Sequence, residues 1–321
     1  YQLTLDTGTL TLHDKRSGRR IPSFFTLEDC ADAGDSYDFS PLAGDTPTRC
    51  SHFTLVDCLK TPLVEKLIVE ATMLLPRDLT DRQEDTRTPF SLRLVCELRH
   101  GDPNLYVEAS LENSHCDHRL RLLIGSDIHT RHALASQPFA IIQRETGYDD
   151  ENWQERYREM PVDIETSEGI IAVTEPGKAL VVTSRGMKEF QIIGSEPAAI
   201  ALTMFKSTGV LGRNDLDWRP GRASGINNTV VETPDAQLLK PLRFSFPVAL
   251  ADSADHLTLR QLENQTAGQP FTYQRQTPHT LDHRLERFSL RLPDRRLPAE
   301  FSLLNLPETL ILSALPPAQQ S

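Results

Sequence analysis

Two stretches of this chain bring together residues able to do chemistry on a polyhydroxylated ligand. The first, Glu28–Pro41, reads EDCADAGDSYDFSP and packs five acids into eleven residues, Glu28 to Asp38, beside the aromatics Tyr37 and Phe39 and a glycine-hinged turn at Gly34. Carboxylates accept hydrogen bonds from sugar hydroxyls, aromatic faces pack on sugar C–H surfaces, and glycosidases need two carboxyl groups about the scissile bond. The plainer reading is a solvated acidic loop whose carboxylates satisfy its own backbone donors. The second stretch, Gly212–Gly225, holds Arg213, Arg219 and Arg222 with Asp215, Asp217 and Trp218 on a loop shaped by Pro220, Gly221 and Gly225. Arginine forks hold hydroxyls or carboxylates with paired hydrogen bonds. The plainer reading here is a rim loop with internal Arg–Asp pairs, Arg219 with Asp215 or Asp217 among them.

Other reactive groupings are weaker. His115-Cys116-Asp117-His118 is dense in metal-ligand types, with Asp127, His129 and His132 shortly after. It follows a strand and reads as a solvated turn, and His129 and His132, three apart on a strand, would face opposite ways. No metal site is expected in this chain. No G-x-S-x-G, G-x-G-x-x-G or phosphate-binding loop occurs. The five cysteines are odd in number and widely spaced, which argues against a disulfide framework and fits buried or idle thiols in a reducing cytoplasm.

The elements that must position these loops are strands. Leu105, Val107, Ala109 and Leu111 alternate with Tyr106, Glu108, Ser110 and Glu112, one apolar and one mostly polar face. Similar runs start at His52, Lys66, Ser91, Arg119, Gly169, Ala179, Ala198 and Pro241, with turn chemistry between them at Asp14–Gly18 and His100–Pro103. Long amphipathic helices between strands are missing, so an antiparallel sandwich is expected and a helix-covered parallel sheet is not. Short helices are expected after Asp149-Asp150, carrying Trp153, Tyr157 and Met160, and over Ser253–Leu262. A boundary near 253 splits the chain into a domain over 1–252 and a smaller one over 253–321, whose strands PFTYQR, RFSLRL and TLILSAL are shorter.

Composition excludes some partners. The 321 residues carry a net charge of −11 and no basic stripe, which disfavours nucleic acid. No apolar run approaches the length of a membrane span. The chain opens on Tyr1 inside a strand-like run and closes on LSALPPAQQS, so both ends read as internal to a longer polypeptide.

Four segments in order resemble the C-terminal part of glycoside hydrolase family 38 α-mannosidases. EDCADAGDSYDFSP is similar to an Asp-Gly-Asp-x-Tyr-x-(Phe/Tyr)-x-Pro loop. RGMKEFQIIG from Arg185 is similar to an Arg/Asn-Gly-Leu-x-Glu-(Tyr/Phe) strand pair. LTMFKSTGVLGRNDLDWRPGRASGI from Leu202 resembles a strand followed by an Arg-x-Asp-Leu-x-x-Arg-Pro-Gly loop. LPETLILSALPPAQ from Leu306 resembles a late strand, with Pro316 where the family has Lys. The resemblance is strongest to bacterial members, among them mannosylglycerate hydrolases, and spans about residue 8 to 319. It implies a large antiparallel super-β-sandwich, galactose-mutarotase-like, followed by a smaller β-sandwich piece that is incomplete. It also implies that the catalytic carboxylates and the zinc site of a retaining α-mannosidase lie in an N-terminal domain outside this chain, so that no residue here is catalytic. The partners implied are an α-mannoside and that catalytic domain of the same polypeptide, in a bacterial cytoplasm, with a homo-oligomer left open. Asp35, Tyr37, Asp38, Arg213, Asp215, Arg219 and Arg222 are the substrate-contacting residues implied, Arg219 foremost. A stand-alone carbohydrate-binding module presenting Trp153 or Trp218, and a mutarotase-like sandwich with His129 or His132 facing a Glu, are the rival readings.

Overall fold

A computed structural model describes residues 1–147, 152–221, 229–267 and Pro307. The chain divides into two compact units, Tyr1–Glu263 and Asn264–Ser321. Past Ala267 the second unit lies outside the described residues, Pro307 excepted, as do the three strands expected there and the helix start at Asp149-Asp150.

The first unit is built on two antiparallel sheets. One has nine strands in the spatial order Ile141–Glu145, His132–Ser136, Ile170–Glu175, Lys178–Thr183, Pro241–Ala251, Asn104–Glu112, Thr88–Arg99, Val64–Leu75 and Thr54–Lys60. The other has six, in the order Glu165–Thr166, Glu189–Ile193, Ala199–Lys206, His118–Gly125, Phe25–Ala31 and Thr48–Cys50. Strand makes up 48% and helix 9%, far from the helix-rich pattern a parallel α/β fold would need.

The alternation read from the sequence is the packing observed. Leu105, Val107, Ala109 and Leu111 are all buried, and they join Leu92, Leu94, Phe246 and Val248 of the same sheet and Phe25, Leu27, Leu120, Leu122 and Leu202 of the other in one core. Pro247 sits inside the strand Pro241–Ala251, although it has no N–H to donate. It pairs with Tyr106 on one side, and pairing on the other side begins only at Val248. The expected helix at the end of this unit forms over His256–Ala267. Its cap is Asp255, whose Oδ1 accepts from Thr258 N at 2.9 Å. That bond and the Ser253 and Thr258 hydroxyls hold the Asp255 carboxyl down at about 2. The stretch carrying Trp153 forms a single 3-10 turn, Trp153–Glu155, and no longer helix.

The six-stranded sheet has a second buried face, and it is polar. Alternation along Phe25–Ala31 and His118–Gly125 sends Leu27, Leu120 and Leu122 to the core and Glu28, Cys30, Arg119 and Arg121 to the other side. Cys30 is the register partner of Arg119, Glu28 that of Arg121, and Lys206 pairs with Arg119 from the next strand. Arg121 and Arg49 both donate to the fully buried Glu28, Arg121 through Nε at 2.8 Å and Arg49 through Nε at 2.7 Å. Burial and the neighbouring Arg119 push the Arg121 guanidinium down, and its Glu28 partner pulls it only part of the way back.

Candidate functional site

The two chemistry-bearing stretches are one structure, laced together at the edge of this polar face. The acidic stretch divides. Glu28 and Asp29 belong to the strand Phe25–Ala31, while Asp32–Ser40 leave it as a tight loop closed by Ala33 N to Ser40 O at 2.8 Å and Asp35 N to Asp38 O at 3.1 Å. Gly34 is required by crowding: a Cβ there would sit 2.1 Å from the Asp38 carbonyl oxygen and 2.8 Å from Ser40 N.

Asp35 is the hub, and it is fully buried. Its Oδ1 accepts from the backbone N–H of Tyr37 at 2.9 Å and of Asp38 at 3.1 Å, within its own loop. Its Oδ2 accepts from the N–H of Gly212 at 3.1 Å, of Arg213 at 2.9 Å and from Arg219 Nη2 at 2.6 Å, all in the other loop. Gly212 has φ +83°, a left-handed conformation that turns its own N–H and the next toward one oxygen. Burial alone would raise the Asp35 carboxyl; the N–H groups and the Arg219 guanidinium outweigh it and hold the group below the usual carboxylate value.

Arg219 is buried, its side chain 4% exposed, with Nε 2.5 Å from Asp38 Oδ2 as well as Nη2 on Asp35. The internal Arg–Asp pair read from the sequence does exist in this loop, but on Arg213. Its Nε and Nη2 each meet a carboxylate oxygen of Asp215 at 2.9 Å, while Nη1 crosses to the Ala33 carbonyl at 2.8 Å. Further ties are Ser36 N to Val210 O at 3.0 Å, Lys206 Nζ to Asp35 O at 2.8 Å, and an edge-on Phe39–Trp218 contact at 5.5 Å. Arg119 lies 3.6 Å over the Phe39 ring, and Met160 N donates to Trp218 O, bringing the segment after Trp153 against the same loop.

The structure therefore brings together six of the seven expected site residues; Arg222 lies outside the described residues. Asp35 and Arg219 are interior. Tyr37, the Asp38 carboxylate and Asp215 face outward, 49%, 50% and 64% exposed. Trp153 is buried and Trp218 half-buried, so neither is a freely presented aromatic. His132 is the register partner of Glu145, whereas it is the backbone N–H of His129, not its ring, that meets Glu175.

The solvated-turn reading of His115–His118 is corrected. Both histidines are buried. His118 opens a core-lining strand, with Nδ1 2.6 Å from Asp29 Oδ2 and Nε2 3.1 Å from Asn113 Oδ1, and Arg82 closes on the other Asp29 oxygen. Among the described residues no three His, Cys, Asp or Glu side chains converge as a metal site, and all five cysteines are free thiols. Asp32, Lys206 and Arg119 were not singled out from the sequence. The signal was present in RLRLLIG, where Arg119 and Arg121 alternate with leucines in a strand flanked by apolar ones, the mark of a sheet face that is buried yet polar.

Two antiparallel sheets, one with a second, polar buried face edged by a carboxylate-pinned loop pair, make a large β-sandwich. The profile described as "Glycosyl hydrolases family 38 C-terminal domain" matches residues 1–209, and the chain belongs to that family. It is similar to a curated protein of Halalkalibacterium halodurans described as "Putative mannosylglycerate hydrolase", 23% identical over 250 residues that make up 72% of this chain and 25% of that protein. Two solved structures from Enterococcus faecalis share the fold. One is described as an α-mannosidase of strain V583, with a TM-score of 0.67 and 20% identity; the other is a family 38 glycosyl hydrolase, with 0.64 and 18%. Each match covers 82% of this chain and 30% of the solved chain, so the chain spans about a quarter to a third of these relatives.

Proposed function

We propose that this chain is the non-catalytic C-terminal region of a retaining α-mannosidase, and that it packs on an N-terminal catalytic domain and lends its loop pair to the sugar site. The observation that carries the reading is the Asp35 hub. Five hydrogen bonds to one buried carboxylate hold two loops rigid, and the groups left facing outward are an aromatic ring and carboxylates, the pair suited to sugar C–H faces and hydroxyls. In this reading Tyr37, Asp38 and Asp215 meet the mannoside, while Asp35, Arg213 and Arg219 hold them in place. The catalytic domain supplies the nucleophile and acid/base carboxylates of a double displacement. It also supplies the zinc, which would orient mannose hydroxyls. A cytoplasmic location goes with this reading, in keeping with the five free thiols.

The test is kinetic. In the complete enzyme, Tyr37→Ala and Asp38→Ala are expected to raise KM for an α-mannoside about 3- to 30-fold, the loss of one or two hydrogen-bond equivalents. Unchanged kinetics in both variants would remove the loop pair from the sugar site. The 321-residue chain alone is expected to turn over no aryl α-mannoside and to hold no stoichiometric zinc. Turnover that survives chelation and disappears on changing a residue of this chain would end the non-catalytic reading. Saturable sugar binding by the chain alone would favour the alternative, a stand-alone carbohydrate-binding sandwich.

A further inference from the structure

We propose that Asp32 is a positioning residue that sets the order of the acidic loop: ionised, its carboxylate clamps both ends of the loop and fixes the Tyr37–Asp38 surface, and protonated, it loosens them. The consequence for sugar binding rests on the function proposed above, but the clamp itself does not.

The geometry is that of a half-used carboxylate. Asp32 is the first residue past the strand Phe25–Ala31, its N–H bound to Asp117 O at 2.8 Å. Its Oδ1 accepts from Gly34 N at 2.9 Å and from Ser40 N at 3.2 Å, the two limbs of the loop around Asp35. The side chain is fully buried, yet Oδ2 has no hydrogen-bond partner among the described residues. The nearest cation, Lys206 Nζ, stands 3.9 Å from Oδ2 and donates instead to the Asp35 carbonyl at 2.8 Å. Arg119, the register partner of Lys206, adds positive charge from the same sheet face.

The other charges around Asp32 are committed elsewhere. Arg213 is on Ala33 O and Asp215, Asp35 is on Arg219, and Asp117 Oδ1 takes Gln237 Nε2 and Gly209 N. Among the described residues the long Lys206 contact is the only ion pair that offsets the burial of this carboxylate. Burial pushes the group up to about 6, against the partial pull of Lys206, of the two N–H bonds and of Arg119.

Loop order and overall stability should then respond to pH with opposite signs. An N–H bond to a carboxylate is stronger than one to a neutral carboxyl, so both loop limbs are held tightest above that value. The folded value lies above the unfolded 3.8, however, so ionisation works against the fold. What Asp32 contributes to global stability is complete below 3.8 and lost as pH rises through about 6. Acidification from 7.5 to 5 thus loosens the loop while this group's contribution to the fold increases, a pairing that ordinary acid destabilisation does not give.

Hydrogen exchange of the full chain, without sugar, between pH 5 and 7.5 tests this. After division by intrinsic rates, the Gly34 and Ser40 amides should lose protection about five- to tenfold as pH falls through the midpoint, the difference between a charge-assisted and a neutral bond. Asp32→Asn keeps the acceptor oxygen and removes the titration. The step should vanish, and Tm should exceed that of the unaltered chain by clearly more at pH 7.5 than at pH 5. Lys206→Met should move the midpoint upward. Flat protection in the unaltered chain, or the same step in Asp32→Asn, overturns the proposal. Should Asp32→Asn fail to fold, the unaltered chain and the direction of the Lys206→Met shift decide alone. Because no sugar is present, failure of the mannosidase reading would leave this result standing.

Discussion

Two arginines six residues apart in one loop have opposite duties, and burial is what separates them. Arg219 is enclosed against Asp35, with Asp38 at its outer edge, whereas the Arg213–Asp215 pair is bidentate but wet, with the Asp215 side chain 64% exposed. Removing one partner of a buried pair costs about 3–5 kcal/mol, and the lower end applies because Asp35 keeps four N–H donors. Arg219→Ala should therefore lower Tm by roughly 6–12 °C in a unit of this size. Arg213→Ala removes an exposed pair, which raises and lowers the two partners' proton affinities without much net effect, plus one bond to a carbonyl; its cost should stay near ~1 kcal/mol. Thermal scans of the two variants side by side measure the contrast, and equal shifts would mean that Arg219 is not the buried strut. Gly34→Ala should be worse than Arg213→Ala, about 1–3 kcal/mol or more, since the added carbon meets backbone atoms that cannot swing away.

At the scale of elements, the six-residue helix Leu79–Glu84 buries no apolar side chain, so its position depends on polar ties. Asp78 caps it by accepting from Asp81 N at 2.9 Å, and Arg82 reaches in to Asp29 and Asp45. Asp29 in turn holds His118, whose ring packs edge-on to Phe90 and Phe205. This chain of contacts spans helix, both sheets and core, so Arg82→Ala and His118→Leu should be strongly coupled. Each alone should cost about 3 kcal/mol or more, and the double variant distinctly less than the sum, by urea unfolding of all three. Additive costs would mean two independent anchors. The outer strand Thr54–Lys60 behaves differently: every residue is exposed, with Leu55 and Leu59 at 54% and 47%. A register irregularity between Leu55 and Asp57 interrupts its ladder, a device that discourages edge pairing. Leu59→Lys should leave Tm within about 0.5 kcal/mol equivalent and reduce light scattering at high protein concentration.

Over the whole molecule, the sandwich was legible because period-two alternation and turn residues are local: Leu105 to Leu111 declares its face without reference to anything distant. The loop pair was legible as two motifs, and six of the residues named in them lie together in the structure. What could not be read was which charges go inside. Glu28, Asp29, Asp35 and Arg219 look like solvent residues in any window of the sequence, and their burial follows from partners 53 to 184 positions away. The pair expected within the loop, Arg219 with a neighbouring Asp, was the local solution, and Arg213 took it. That separation has a consequence for how the surface comes into being. The acidic loop is made near the start of the chain, but its Oδ2 donors and its guanidinium strut arrive only with Gly212–Arg219, after every strand of the six-stranded sheet has been synthesised. Loop closure over such a span is entropically slow and comes late. A nascent chain should therefore carry the Tyr37 turn as a floppy appendage and acquire the finished contour in a single late event. Stalled chains ending at residue 206 and at residue 240, compared by protease access to the Tyr37–Asp38 bond, would time that event. The short chain should be cut and the long one resist, which would tie the closing of the turn to the arrival of Gly212–Arg219.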